Sequence, residues 1–388
     1  MFSIGSARTR EKVIAVADIG SGSAGVAILS LHKGEPARIL AAERCVLPFE
    51  NRDADATVSG VLAQLSLAAE KALAAYRASK GDSRAPVSKV YAVIRVPWTR
   101  AKTIHAGAVF SEDTLIKEGV VAQLAREAVG KDTGFERDRI LEISIVRVEL
   151  NGYPTAHPAG QRARSVHIGV LISDCDPRIK DGVIQTLSRT FSCPPPCLRS
   201  GTRALLSVLR EVATLPKNCF IVDMTSEATS LIALRKGVAT EQAVVPEGAR
   251  SILKRIAATA LPEETLSLMR LLETDQCEEA TCVALKASLG RAEPELVRIF
   301  GEAVGTIAAS RRLPNSLILY VQEDFSPWLV QLFSRIDFAQ FTMTTRPFAP
   351  HALTNKNLEA LVTYAPAVHP DTALCVGSAL VNIEEGAA

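Results

Sequence analysis

Two aspartates, Asp18 and Asp223, each close a short apolar run and are followed by small polar residues. Behind Asp18 stand Gly20, Ser21, Gly22 and Ser23; behind Asp223 stand Thr225 and Ser226. Glycines and serines at such a tip suit a turn that wraps phosphate, because bare backbone N–H groups approach an anion closely. A carboxylate there can orient Mg²⁺ through water, since that ion keeps much of its hydration shell. The chemistry these residues point to is nucleotide phosphate held by the two turns, with Asp18 and Asp223 facing the metal.

The same scaffold must position both tips. Val13 to Gly34 and Cys219 to Gly237 follow one plan: an apolar run ending in Asp, small residues, then a second apolar run closing on Lys-Gly. Each predicts a strand, a tight turn and a returning strand. One such segment is equally an ordinary hairpin turn. Two, in matching halves, predict a duplicated fold gripping one nucleotide between its halves.

The 388 residues exceed one core and fit two or three domains. With 47% apolar and 22% charged residues the composition is globular, and a net charge of +2 leaves no footprint for nucleic acid. Arg8, Arg10 and Lys12 form a basic start, but the apolar run behind them holds Asp18, which argues against a signal peptide. No run of about 18 apolar residues is uninterrupted, so no spanning helix is expected. The eight cysteines are irregularly spaced and read as reduced, structural thiols; Cys193 and Cys197, flanking three prolines, lack a second ligand pair.

Strand and helix signals alternate, which predicts α/β architecture. Helices are expected from Thr57 to Ala78, stopping at Gly81, from Ser111 to about Gly130 with Ser111–Thr114 as cap, and from Arg178 to Phe191. Ala249 to Ala309 reads as mostly helical, and a further helix starts at Ser326-Pro327. Strands are expected at Lys89–Val96, Ile140–Leu150 (turning at Asn151-Gly152), Val166–Ile172 and Ser316–Val321. The apolar strip Ala373–Val381 belongs inside, ahead of a short acidic tail. Asp174 and Asp176 read as an exposed loop pair, and Glu227 as a solvated turn residue.

The paired Asp-tipped hairpins resemble the actin-like ATPase superfamily, and within it the FtsA and PilM proteins. Asp18-Ile19-Gly20-Ser21-Gly22-Ser23 resembles the first phosphate loop, and Asp223 to Thr229 stands in place of the second. ILEISIVRVELNGYPTAHPAG resembles part of the family's small inserted subdomain. The resemblance implies an α/β, duplicated actin-like (ribonuclease H-like) fold: two lobes around a cleft, with a small inserted α+β subdomain. It divides the chain into a first lobe (1–87 and 164–215), the insert (88–163), a second lobe (216–248 and 305–388) and a helical subdomain (249–304). It also implies ATP and Mg as cofactors.

Several positions depart from that pattern. Ala24-Gly25 stands where a phosphate-contacting Lys is usual, and Thr225 replaces the glycine after the second Asp. Glu247-Gly248 replaces Gly-Gly, and Gln322-Glu323-Asp324-Phe325 replaces the Gly-Gly turn that admits adenosine. The expectation is therefore weak or lost nucleotide binding and at most a slow ATPase. The resemblance implies a cytoplasmic, self-associating scaffold, recruited to the inner membrane face by a partner peptide of division or pilus machinery, with no anchor of its own. A polymerising ATPase and a sugar-kinase-type phosphotransferase are the alternatives on the same fold.

Overall fold

The computed structural model describes residues 12–50, 52–79, 85–274 and 276–386. Arg8, Arg10 and Gly81, read above as a basic start and a helix stop, lie outside the described residues.

The first half opens as an antiparallel meander of β1 (Lys12–Ile19), β2 (Ser23–Leu31) and β3 (Ala37–Val46). Helix α1 (Ala54–Ala78) follows, its first turn capped by Asp53, which accepts from Ala56 N at 2.7 Å. It leads to β4 (Lys89–Ile94), parallel to β1. The insert then contributes β5 (Thr99–Leu115), α2 (Glu118–Lys131), β6 (Ile140–Leu150), β7 (Tyr153–Pro154) and β8 (Arg162–Cys175). After α3 (Pro177–Phe191), β9 (Cys197–Ser200) joins β4 in parallel and α4 (Gly201–Glu211) closes the half.

The second half repeats the plan. β10 (Cys219–Met224), β11 (Thr229–Arg235) and β12 (Val238–Val245) form the meander. Helices α5 (Ala249–Ala257), α6 (Pro262–Glu273) and α7 (Glu279–Ala308) precede β13 (Ser316–Tyr320), parallel to β10. Then come α8 (Ser326–Arg335), β14 (Ala349–Ala352), β15 (Val362–Tyr364) and α9 (Thr372–Gly386). The sheet orders are β15-β3-β2-β1-β4-β9 and β12-β11-β10-β13-β14, so the duplicated strand order is explicit. Four strands of the insert form a separate sheet, β5-β8-β6-β7.

Three boundaries differ from the sequence expectation. β4 pairs with β1 in the first sheet, and the insert sheet begins where Thr99 meets Cys175, so it starts later and ends later than the expected 88–163. The last segment is not part of the second lobe: β15 pairs with β3, and α9 packs on the first sheet, over β1, β2 and β3, with Gly377 against Val16 and Val93. Leu374 to Val381 are all buried, and a helix apolar all round does not reveal in sequence which layer it joins. Ser111 to Thr114 lie in β5 rather than at a helix start; the strand continues through a register shift between Val109 and Thr114, and α2 begins later.

One expectation about cysteines is also corrected. A disulfide joins Cys277 to Cys282 in the approach to α7, with Cα atoms 5.7 Å apart. The acidic tail is not loose: Glu385, at the end of α9, receives Lys89 Nζ at 2.7 Å and Tyr91 Oη at 2.6 Å and also pairs with Lys12.

Candidate functional site

β1 and β10 carry Asp18 and Asp223 to the cleft between the halves, where each is 1% exposed. The turn behind Asp18 closes with Gly20 N donating to Ser23 O at 3.0 Å; the turn behind Asp223 closes with Thr225 N donating to Ala228 O at 2.9 Å. The structure thus brings all the predicted site residues together, but in contact with one another. Ser21 Oγ and Thr225 Oγ1 are 3.1 Å apart, and Glu227 N donates to Ser21 Oγ at 2.9 Å. A Cβ on Gly22 would stand 2.3 Å from the Ser226 side chain. The N-terminal amides of α5, a natural anion site, are spent on the second turn: Ala249 N reaches Thr225 O and Arg250 N reaches Ser226 O, both at 2.9 Å.

Each aspartate also meets an arginine from its own chain. In the first sheet Asp18 lies opposite Gly25, which lies opposite Arg44. Because Gly25 has no side chain, the Arg44 guanidinium crosses above it and donates to Asp18 Oδ2 at 3.0 Å and to Ser23 Oγ at 2.9 Å. Arg44 Nε donates to Asp371 at 2.5 Å, and Asp371 also caps α9 by accepting from Leu374 N at 2.9 Å. Burial opposes the Arg44 charge, but Asp371 and Asp18 outweigh it and hold the guanidinium protonated. The carboxyl of Asp371 is pushed up by burial and pulled down further by Arg44, so it titrates below the usual carboxylate range.

Arg95, one residue beyond β4, reaches the other half. It forms an ion pair with Asp223, donates to Met224 O at 3.3 Å and lies 4.1 Å from the ring centroid of Tyr320. Burial again opposes the charge, and the carboxylates of Asp223 and Asp18 outweigh it. Glu227, expected to be solvated, pairs with Arg250 at 3.0 Å. Asp174 is buried and paired with Arg100, while Asp176 caps α3.

The cleft retains a volume of about 410 Å³, within the range of small-molecule pockets. Its lining includes the apolar side chains of Val46, Leu47, Phe49, Leu266 and Phe325. Gln322 to Phe325 form a tight turn at its rim, with Asp324 held by Arg270 at 2.6 Å.

The two turn aspartates already have charged partners in the chain. Asp223 is neutralised by Arg95, and a metal shared by the two aspartates would stand beside that guanidinium, a like charge. Asp18 Oδ1, buried and without a hydrogen-bond partner, is the acceptor left over. The two turns touch through Ser21 and Thr225, and residues of both, Gly20 to Ser23 and Thr225 to Ser226, line the cleft. Among the described residues no group of three His, Cys, Asp or Glu could hold a metal ion.

No protein-family model and no curated protein matches the chain. Solved structures do. A chain of the PilM-PilN type IV pilus biogenesis complex superposes with a TM-score of 0.57 at 15% identity, covering 95% of this chain and 98% of that one. The ethanolamine utilization protein EutJ from Carboxydothermus hydrogenoformans gives a TM-score of 0.46 at 9% identity, covering 95% and 89%. The fold is that of the actin-like ATPases.

Within this actin-like fold, sequence reasoning found the two turns and missed their partners. Arg44, Arg95, Tyr320 and Asp371 are scattered through the chain, and only strand register brings them to the tips. A weak signal existed for Arg95: a charged residue closing the apolar strand KVYAVIRV, directly ahead of Val96-Pro97. Asp371, before an apolar helix, carried an N-cap signature.

Proposed function

We propose that this chain is a nucleotide-independent scaffold of the PilM kind, acting through protein partners rather than turnover. The observation that carries the proposal is the direct contact of the two turns, Ser21 on Thr225 and Gly22 against Ser226, where an actin-like ATPase holds phosphate. The cleft then serves as a structural joint, and the insert with its own sheet is the surface offered to partners. Ile143 and Ile145, 49% and 41% exposed on β6, and Val109, 80% exposed on β5, supply apolar contact area there. Membrane association would come from a partner, since no helix among the described residues is long and apolar enough to cross a membrane. The likeness to a pilus-biogenesis complex supports a partner in a membrane-bound assembly, met at the cytoplasmic face, with self-association of the scaffold.

The test combines two measurements. Millimolar Mg-ATP should leave the melting temperature unchanged and release no phosphate; binding at micromolar affinity sinks the proposal. Vesicles bearing a lipid-anchored cytoplasmic peptide of a pilus- or division-type membrane protein should recruit the chain into assemblies visible by electron microscopy, and plain vesicles should not. A strictly monomeric chain on the peptide-bearing vesicles counts against it.

A further inference from the structure

We propose that Arg95 is a built-in cation that takes over the charge role of a metal between the turn aspartates and clamps the two lobes together without any ligand. The residue is anchored in the first half, where its N–H donates to Ile19 O at 2.9 Å. Its guanidinium reaches three second-half groups, the Asp223 carboxylate, Met224 O and the Tyr320 ring, while its Nε is buried without a hydrogen-bond partner. Arg95 is 8% exposed, so little of this charge is left to water.

The surroundings are shaped for it. The stem of Arg95 passes Gly201, the first residue of α4, where a Cβ would stand 2.8 Å from Arg95 Cγ. Any larger residue there would displace the arginine. Next to it, Thr225 Oγ1 donates to Val96 O at 2.9 Å, a further polar link between the halves. Asp18 adds attraction from the first half, so the guanidinium sits in the field of both aspartates.

A fixed guanidinium differs from a bound metal in two ways. It is never lost to dilution or chelation, and it stays protonated at every physiological pH. It also supplies directed, charge-assisted hydrogen bonds, which hold one relative position of its two attachment points. Closure of the cleft therefore becomes a property of the chain, not of a ligand.

Arg95→Met keeps the length of the stem and removes the charge. Hydrogen exchange of residues 219–228 and 92–97 in nucleotide-free buffer reads the clamp. The wild-type chain should show the same protection with EDTA or with Mg²⁺. Arg95→Met should exchange at least tenfold faster in both segments and melt several degrees lower, and Arg95→Lys should recover part of that protection. Millimolar Mg²⁺ should partly re-protect Arg95→Met, because Asp223 has lost its counter-ion while Asp18 Oδ1 still lacks a hydrogen-bond partner; no response to Mg²⁺ overturns the metal-like role. If Arg95→Met does not fold, Arg95→Met combined with Asp223→Leu removes both buried charges and should fold, yet exchange fast. Wild-type protection in either variant overturns the clamp. Binding of Mg-ATP to the wild-type chain would defeat the scaffold reading while leaving these exchange results to decide the clamp separately.

Discussion

The guanidinium of Arg44 reaches Asp18, two strands away in the same sheet, by passing over Gly25 on the strand between them. A Cβ at position 25 would lie 2.9 Å from Arg44 Nη2. That nitrogen cannot swing aside freely, because Asp18 and Asp371 hold the guanidinium from two sides. Gly25→Ala should therefore destabilise the chain by about 1–2 kcal/mol, the cost of one distorted charged hydrogen bond. In an Arg44→Ala background the same change should cost almost nothing more, and urea denaturation of the four variants gives the coupling.

Glu385 fastens the end of α9 to the first sheet. Burial raises its carboxyl, but Lys12, Lys89 and Tyr91 outweigh this and bring it to about 2 from an ordinary 4.5. A depressed acid contributes stability that is complete above its ordinary value and disappears as pH falls through the depressed one. The wild-type chain should lose stability between pH 4.5 and 2 through this group. Glu385→Gln should lack that part of the slope and be about 1–2 kcal/mol less stable at pH 7, discounted because both lysines are part-exposed. Denaturation midpoints across pH 2–7 compare the two.

Glu142 joins the insert to the first lobe. Its Oε1 accepts from Ser200 N at 2.9 Å and Ser200 Oγ at 2.6 Å, at the N-terminus of α4. Burial raises this carboxyl above its ordinary value, and Ser200 only partly offsets that. The sign is opposite to Glu385: stability is fullest below the ordinary carboxylate range and falls as pH rises through the raised value. Glu142→Gln should flatten that fall. Glu142→Ala, which leaves buried donors unpaired, should cost about 2 kcal/mol and speed hydrogen exchange in β6 and β9.

The duplicated plan was legible because each half repeats an Asp between two apolar runs, and local periodicity survives without knowledge of register. What lay beyond reach was anything decided across strands. Whether Asp18 faces a metal or Arg44 depends on β3 pairing with β2 so that Arg44 stands opposite Gly25. Ser111 to Thr114 carried helix-cap residue types, yet the same short polar residues serve an irregular strand edge. Leu374 to Val381 announced burial, while the choice of lobe rested on packing against β1, β2 and β3, far away in the chain.

The return of β15 and α9 to the first sheet has a consequence for synthesis. β15 is the edge partner of β3, and α9 covers β1 and β2, yet both follow the whole second meander and its helices in the chain. The first lobe must wait with one edge unpaired and one face bare while the whole second lobe is made. A nascent chain stalled before Val362 would expose that apolar face for as long as the stall lasts, and chaperone occupancy should peak there.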